Sequence, residues 1–187
     1  MLQLRISGDD YELCVKAAAN MACSRKPGGI FERGCINTPS DKFKVERIGR
    51  LGEVALARYL RVKPDLEYHK DGDKEDFIYR GLSVDIKTAS YNSGRGLIRA
   101  ITQWGRYVPL NADVYIFAYL NKESRVEQTA DLVYVGFLYQ NEVLREPVPA
   151  RIGKHWNFEV NHSELRPIEE LVHEELFKIS GRKNACC

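Results

Sequence analysis

Residues 76–87 (DFIYRGLSVDIK) constrain the fold more than any other part of the chain. Two strand-like segments, 76–79 and 82–88, flank Arg80-Gly81, which predicts an antiparallel pair joined by a two-residue turn. With that turn, the numbers of opposite residues add up to 161, so Asp76 faces Asp85. A three-residue loop would break this opposition.

Two carboxylates opposite each other on neighbouring strands repel, because their Cβ atoms lie only about 5 Å apart. A divalent cation such as Mg²⁺ would compensate, since hard cations take oxygen ligands from carboxylates and from a substrate phosphate. Alternation places Lys87 on the same side of the sheet as Asp85, with Val84, Ile86 and Thr88 on the other side. The pattern predicts a face with two acids and one lysine; a solvated polar face above apolar residues is the alternative.

The clearest helix is predicted at 44–60, where apolar residues recur at helical spacing from Val45 onward. Glu53 lies at the edge of this apolar stripe, where its carboxylate can point along the sheet surface; a solvated glutamate is the alternative. Gly49 and Gly52 each weaken a helix by about 1 kcal/mol relative to Ala. Close approach of this helix to a strand or to a phosphate would explain that cost.

The remaining elements complete an α/β pattern. Helix 11–21 follows a capping-box-like start, and the apolar strand 113–120 (DVYIFAYL) is expected at the centre of a sheet. The order predicts a single domain over residues 1–187 with one central mixed sheet flanked by helices. The other predicted elements are helices at 97–106 and 167–177 and strands at 66–69, 131–139 and 156–160.

Composition excludes several classes of protein. The 187 residues are 44% apolar and 29% charged, which is typical of a globular chain. The net charge of +2 excludes nucleic-acid binding by bulk charge alone, but it allows a local basic face. No apolar run approaches the roughly 18 residues of a membrane span, and acids stand where a signal peptide would be apolar. The five cysteines form no CxxC pair, which predicts reduced thiols in a cytoplasm.

Together, Gly49-Arg50-Leu51-Gly52-Glu53 on a helix, Asp76 on a strand and Asp85-Ile86-Lys87 on the next strand resemble the PD-(D/E)XK nuclease superfamily. The likeness is to its small phage-type, restriction-endonuclease-like and resolvase-like members. It covers about residues 44–120, roughly two fifths of the chain. The proline of the motif is absent, and Asp73 and Glu75 are rivals for the position of Asp76.

The resemblance implies a restriction-endonuclease-like core and hydrolysis of DNA phosphodiester bonds with Mg²⁺, for which Mn²⁺ can substitute. Asp76, Asp85 and the carbonyl of Ile86 would be metal ligands. Glu53 would bind a second ion or hold a water at the first. Lys87 would orient the attacking water or neutralise charge in the transition state. A bacterial or phage origin is implied as well.

The candidate contacts to DNA lie after the strand that carries Asp85-Ile86-Lys87, or in the charged loop before the hairpin. Arg95, Arg99 and Arg106 are spaced so that they share one helical face, with a solvated basic face as the alternative. Trp104 and Tyr107 are expected in the core, and stacking on bases is their alternative. The other candidates are Lys70 and Gln103.

Two further readings of the whole chain stay open. The same fold could serve as a non-catalytic module that binds nucleic acid or protein. The Asp-x-Lys pattern could also be a coincidence in a structural protein. For the nuclease, double-strand cutting by one site per chain favours a homodimer.

Overall fold

The computed structural model describes residues 1–24, 39–67, 75–102, 104–150 and 156–173. None of the described helices is long and apolar enough to cross a membrane. The helices are α1 (Gly8–Ser24), α2 (Pro39–Leu60), α3 (Gln140–Val143) and α4 (Ile168–His173). The strands are β1 (Leu2–Ser7), β2 (Phe77–Tyr79), β3 (Leu82–Ala89), β4 (Arg95–Ile101), β5 (Val114–Ser124), β6 (Thr129–Tyr139), β7 (Val148–Pro149) and β8 (Trp156–Asn161).

The main sheet has five strands in the order β1-β6-β5-β3-β2. It is mixed, because β3 and β5 are parallel whereas the other pairs are antiparallel. The α/β class and the mixed sheet are therefore confirmed. The strongly apolar β5 lies at the centre, as its sequence predicts.

Both faces of β5 are buried, because successive side chains point to opposite sides of a strand. Val114 and Ile116 pack in a core with α1 and α2. Tyr115 and Phe117 pack in a second core with β4 and β8. One strand thus joins two apolar layers, which places the carboxyl half of β3 between a helix on one side and β4 on the other.

A second, antiparallel sheet of order β4-β8-β7 corrects the expectation of one central sheet flanked by helices. The helix expected at 97–106 is wrong, since residues up to Ile101 belong to β4 and a turn follows. Ile98 and Ala100 are buried and Arg99 is half-buried, which is the period of a strand. Pairing with β8 outweighs the weak helical pattern of these residues.

Arg95, Arg99 and Arg106 consequently do not share a helical face. Arg95 and Arg99 lie in β4, and Arg106 lies in the turn beyond it. Gly96 allows β4 to approach the main sheet closely, because a Cβ there would lie 2.0 Å from Cδ1 of Phe117. The tight packing of Gly96 on Phe117 is a tertiary contact that the local pattern does not reveal.

Other boundaries differ in smaller ways. The structure adds β1 at the sheet edge, where pairing with β6 stabilises a segment whose alternation is weak. Leu66 and Glu67 of the expected strand 66–69 are not in a strand, and 68–69 fall outside the described residues. The final helix is observed over α4, and the rest of the expected 167–177 lies outside the described residues.

Candidate functional site

The hairpin of β2 and β3 has the predicted register. Phe77 pairs with Val84 and Tyr79 pairs with Leu82, so the numbers of opposite residues add up to 161. Arg80 and Gly81 have φ of 52° and 79°, as a type I′ turn requires at both central positions. This turn fixes the register that brings Asp76 beside β3.

Asp76 departs from the ideal ladder, which ends at Phe77. Its backbone N–H donates to the carbonyl of Val84 (2.8 Å), and its Oδ2 accepts the backbone N–H of Ile86 (2.6 Å). The expected direct pairing of Asp76 with Asp85 is therefore wrong in detail. The carboxylate of Asp76 instead lies against the backbone of β3 and is buried.

Asp85 and Lys87 project from the same side of β3, as alternation predicts. The Lys87 ammonium lies 2.6 Å from Oδ2 of Asp85, and both side chains are half-buried. Val84 and Ile86 are buried in the core on the helix side. The polar pair thus stands on a strand whose opposite side is anchored by apolar packing.

Glu53 reaches the site from α2 and is only 8% exposed. Oε2 of Glu53 forms an ion pair with Nη1 of Arg50, one helical turn earlier. Gly52 makes this approach possible, because a Cβ on it would lie 2.0 Å from Oγ1 of Thr88 on β3. The close approach of helix and strand that would explain a helix-weakening glycine is therefore present at Gly52.

Acidic charge is concentrated at this point. Burial, then the charges of Glu53 and Asp85, raise the pKa of Asp76 well above its ordinary value. For Lys87, burial lowers the pKa, but the charge and hydrogen bond of Asp85 and the charge of Asp76 outweigh it, so the pKa is raised. The site therefore holds a charged lysine beside carboxylates that repel one another.

A cavity of about 640 Å³ unites these side chains. Its lining includes Glu53, Asp76, Asp85, Ile86 and Lys87, which come from α2, the start of the hairpin and β3. Glu75, a rival of Asp76, lines the same cavity; Asp73, the other rival, lies outside the described residues.

The structure places the residues expected to contact DNA in different surroundings. Arg95 lines the cavity, and its Nη1 forms an ion pair with Glu159 (2.7 Å). Arg99 is half-buried in β4, and Arg106 is exposed. Lys70 and Gln103 lie outside the described residues.

Several cavity residues were missed by sequence reasoning, among them three with titratable side chains that could take part in chemistry. Glu46 lies two helical turns before Glu53 on α2, a spacing that could have revealed it. Tyr119 of β5 and His162 after β8 also line the cavity. His162 is positioned by the pairing of β8 with β4, and its backbone N–H donates to the carbonyl of Gly94 (2.9 Å). No local sequence pattern predicts this position, because the two strands are far apart in the chain.

The cavity contains oxygen donors that suit a hard cation, but the side chains are not arranged as a set of metal ligands. In the part of the chain that the structure describes, no three His, Cys, Asp or Glu side chains form a metal-binding group. Asp76 and Asp85 supply carboxylate oxygens, the ligands that Mg²⁺ prefers. Burial is the largest cause of the raised pKa of Asp76, and repulsion from Glu53 and Asp85 adds to it; a cation would relieve that repulsion.

No family model matches this chain, and the search of curated proteins found no match. The function is therefore inferred from the geometry of the cavity and from the motif resemblance.

Proposed function

We propose that this protein is a Mg²⁺-dependent nuclease that hydrolyses DNA phosphodiester bonds on a restriction-endonuclease-like core, within a single domain. The observation that carries the proposal is the convergence of Glu53, Asp76, Asp85 and Lys87 on one cavity. These residues come from three segments in the order of the PD-(D/E)XK motif. A chance Asp-x-Lys pattern on a strand gives no reason for Glu53 to lie beside it.

The acidic residues have the roles of metal ligands. Asp76 and Asp85 would hold the ion with the carbonyl of Ile86, and Glu53 would hold a second ion or a water. Bound Mg²⁺, or Mn²⁺ in its place, would polarise the scissile phosphate and lower the pKa of a water. Oδ2 of Asp76 already accepts the N–H of Ile86, which fixes the orientation of that carboxylate.

Lys87 supplies positive charge next to the ligands. Its raised pKa keeps the ammonium charged at neutral pH. From its position beside Asp85 it would orient the attacking water or neutralise the charge that develops on the phosphate. Arg95 at the cavity wall is the nearest candidate for a phosphate contact, with Arg99 and Arg106 further along the chain.

A non-catalytic binding module is the second candidate, and a specific observation favours it. Glu53 is paired with Arg50, and Lys87 is paired with Asp85. These contacts give Glu53 and Asp85 cationic partners without a metal ion. A module of this kind would bind its partner equally well in the presence of a chelator.

Cleavage assays separate the two candidates. We expect wild-type protein to cleave DNA with Mg²⁺ or Mn²⁺ and not with excess EDTA. Lys87→Ala should lower the rate by roughly 10²- to 10³-fold, the usual effect of losing one stabilising group in the transition state. Asp85→Ala should lower it at least as much, because a metal ligand is lost.

The matched controls are Asp131→Ala and Lys16→Ala. Asp131 pairs with the exposed Arg5, and the exposed Lys16 pairs with Glu12; Asp131 and Glu12 are themselves partly exposed. Both control variants should cleave like wild type. Equal cleavage by Asp85→Ala, Lys87→Ala and wild type would remove these residues from the mechanism and refute the proposed active site, whereas no cleavage by wild type with either metal would refute the nuclease proposal.

The resemblance also supports a cytoplasmic location in a bacterium or a phage-infected cell, and a homodimer that presents two cavities to two DNA strands. Sedimentation velocity with and without duplex DNA measures the second point. A monomer in both conditions would contradict it.

A further inference from the structure

Exposed aromatic side chains gather on and beside the second sheet. Among the described residues, five aromatic side chains are exposed, and one of them, Tyr59, lies on α2. The other four form what we name the aromatic platform: Tyr91 (67% exposed), Trp104 (49%), Tyr107 (60%) and Trp156 (43%). The expectation that Trp104 and Tyr107 belong to the core is therefore wrong.

Strand pairing brings two members of the platform together, and the turn after β4 adds a third. Ile101 pairs with Tyr107 on one side and with Trp156 on the other. Neighbouring strands lie about 4.8 Å apart, so the backbones of Tyr107 and Trp156 are roughly 10 Å apart. Trp104 lies in the turn between Ile101 and Tyr107, which is closed by a hydrogen bond from the Thr102 N–H to the Arg106 carbonyl (2.8 Å).

The same strand and turn carry positive charge. Arg95 and Arg99 lie in β4, and Arg106 is exposed in the turn next to Trp104 and Tyr107. Glu159 of β8 offsets part of this charge through its ion pair with Arg95. Exposed rings and arginines on the same strand and turn match the needs of an unpaired nucleic-acid strand, whose bases stack on aromatic faces and whose phosphates need cations.

The platform borders the cavity through one of its members, Tyr91. Tyr91, Arg95 and Leu97 line the cavity together with Asp85 and Lys87. From Arg95 to Ile101, β4 extends about 20 Å at the usual rise of a strand. A strand of nucleic acid lying along β4 would reach from the rings of Trp104 and Tyr107 to the carboxylates.

We propose that the aromatic platform binds single-stranded DNA and leads it along β4 into the cavity. Duplex DNA fits the platform poorly, because its bases are stacked inside the helix and offer the rings no face. This inference deepens the proposed nuclease function and rests on it only for the cleavage step. Binding to the platform needs no metal ion.

Intrinsic fluorescence gives a direct test, because Trp104 and Trp156 are the two tryptophans of the chain. In EDTA, we expect an oligothymidylate to quench their emission, and an equally long duplex to quench it weakly. Tyr107→Ala should weaken oligothymidylate binding about five- to a hundredfold, the usual effect of losing one stacked base. The control Tyr59→Ala, an exposed aromatic on α2, should bind like wild type. Circular dichroism checks that both variants are folded.

Several results would overturn the proposal that the aromatic platform binds single-stranded DNA. They are an absence of quenching at saturating oligothymidylate, equal quenching by the duplex, and equal weakening by Tyr107→Ala and Tyr59→Ala. Self-association of the free protein that hides both tryptophans would also overturn it, since a second copy would then be the occupant.

A cleavage arm with Mg²⁺ separates this proposal from the nuclease proposal. Quenching in EDTA without cleavage by wild type would support the platform and refute the nuclease. Cleavage that is unchanged in Tyr107→Ala on single-stranded DNA would support the nuclease and refute the platform.

Discussion

Gly52 marks the closest approach of α2 to β3. A Cβ at this position would lie 2.0 Å from Oγ1 and 3.1 Å from Cβ of Thr88. Rotation of the Thr88 side chain would relieve the first contact but not the second. The glycine therefore allows the helix to sit close enough to the strand for Glu53 to share a cavity with Asp85.

Gly52→Ala should lower the free energy of unfolding by roughly 1–3 kcal/mol, the usual cost of overpacking, despite the better helix propensity of alanine. Gly49→Ala is the matched control. Its Cβ would meet only Oε1 of Glu53 at 3.6 Å, so the gain in propensity, up to about 1 kcal/mol, should dominate. Urea unfolding followed by circular dichroism measures both. Equal changes in the free energy of unfolding of the two variants would show that contact with Thr88 does not destabilise Gly52→Ala.

At the scale of elements, a reciprocal contact joins the beginnings of the parallel strands β3 and β5. Oδ2 of Asp113 accepts the backbone N–H (2.8 Å) and the hydroxyl (2.7 Å) of Ser83. The Asp113 N–H donates back to Oγ of Ser83 (2.9 Å). These bonds favour the carboxylate form, so the Ser83 N–H and hydroxyl lower the pKa of Asp113.

The lowered pKa sets the direction of a pH effect. A carboxyl group whose pKa is lower in the folded state stabilises the fold above its unfolded pKa of about 3.9, and this contribution is lost as the pH falls through the folded pKa. Because the contact is exposed and solvent screens it, Asp113→Ala should cost less than about 1 kcal/mol at pH 7, and less still below about pH 4.

Thermal or urea unfolding of wild type and Asp113→Ala between pH 3 and pH 7 tests this expectation. Asp131→Ala, at a partly exposed ion pair with Arg5 whose N–O distance is 3.7 Å, should change the stability by less than about 0.5 kcal/mol. A difference between wild type and Asp113→Ala that stays constant with pH would contradict the charge-dependent role of the contact.

At the scale of the molecule, one buried cation ties three elements together. Arg47 of α2 is 2% exposed, and its Nη1 pairs with Oε1 of Glu123 near the end of β5. Tyr11 of α1 donates its hydroxyl proton to the same carboxylate (2.7 Å). Burial and the neighbouring Arg125 lower the pKa of Arg47, so the pair with Glu123 compensates a costly charge.

Glu123→Ala should lower the free energy of unfolding by about 3–5 kcal/mol, because it leaves a buried guanidinium without its counter-charge. Glu12→Ala removes an exposed pair with Lys16 and should cost less than about 0.5 kcal/mol. Replacing both partners by apolar residues, Arg47→Met with Glu123→Leu, should recover most of the loss. Chemical denaturation measures all three. A Glu123→Ala variant as stable as Glu12→Ala would contradict this role.

Much of the fold can be predicted from local patterns. The register of the β2–β3 hairpin follows from the two-residue turn at Arg80-Gly81 together with the alternation of residues 82–88. The length and apolar face of α2 predict its helix, and the continuous apolar run of β5 predicts its central position. These features depend on neighbours in the sequence, whose effect repeats with the period of a helix or a strand.

Prediction failed where distant residues decide. The segment around Arg99 has a weak helical spacing, but β8 pairs with it and Phe117 packs on Gly96, so it is a strand. Trp104 and Tyr107 were expected in the core because aromatic residues usually are buried, yet the turn after β4 leaves them exposed. Neither the pairing nor the exposure has a local signature.

The sequence by itself determined the hairpin, the long helix and the order of the acidic residues and the lysine along the chain, because short-range periodicity and turn chemistry specify these features. Only the tertiary structure decided that Glu53 meets Asp76, Asp85 and Lys87 in one cavity, and that Asp76 binds the backbone of Ile86 instead of facing Asp85. The reason is physical: helix–sheet packing at Gly52 and strand pairing between remote segments fix those positions, and their free energy comes from contacts far apart in the chain.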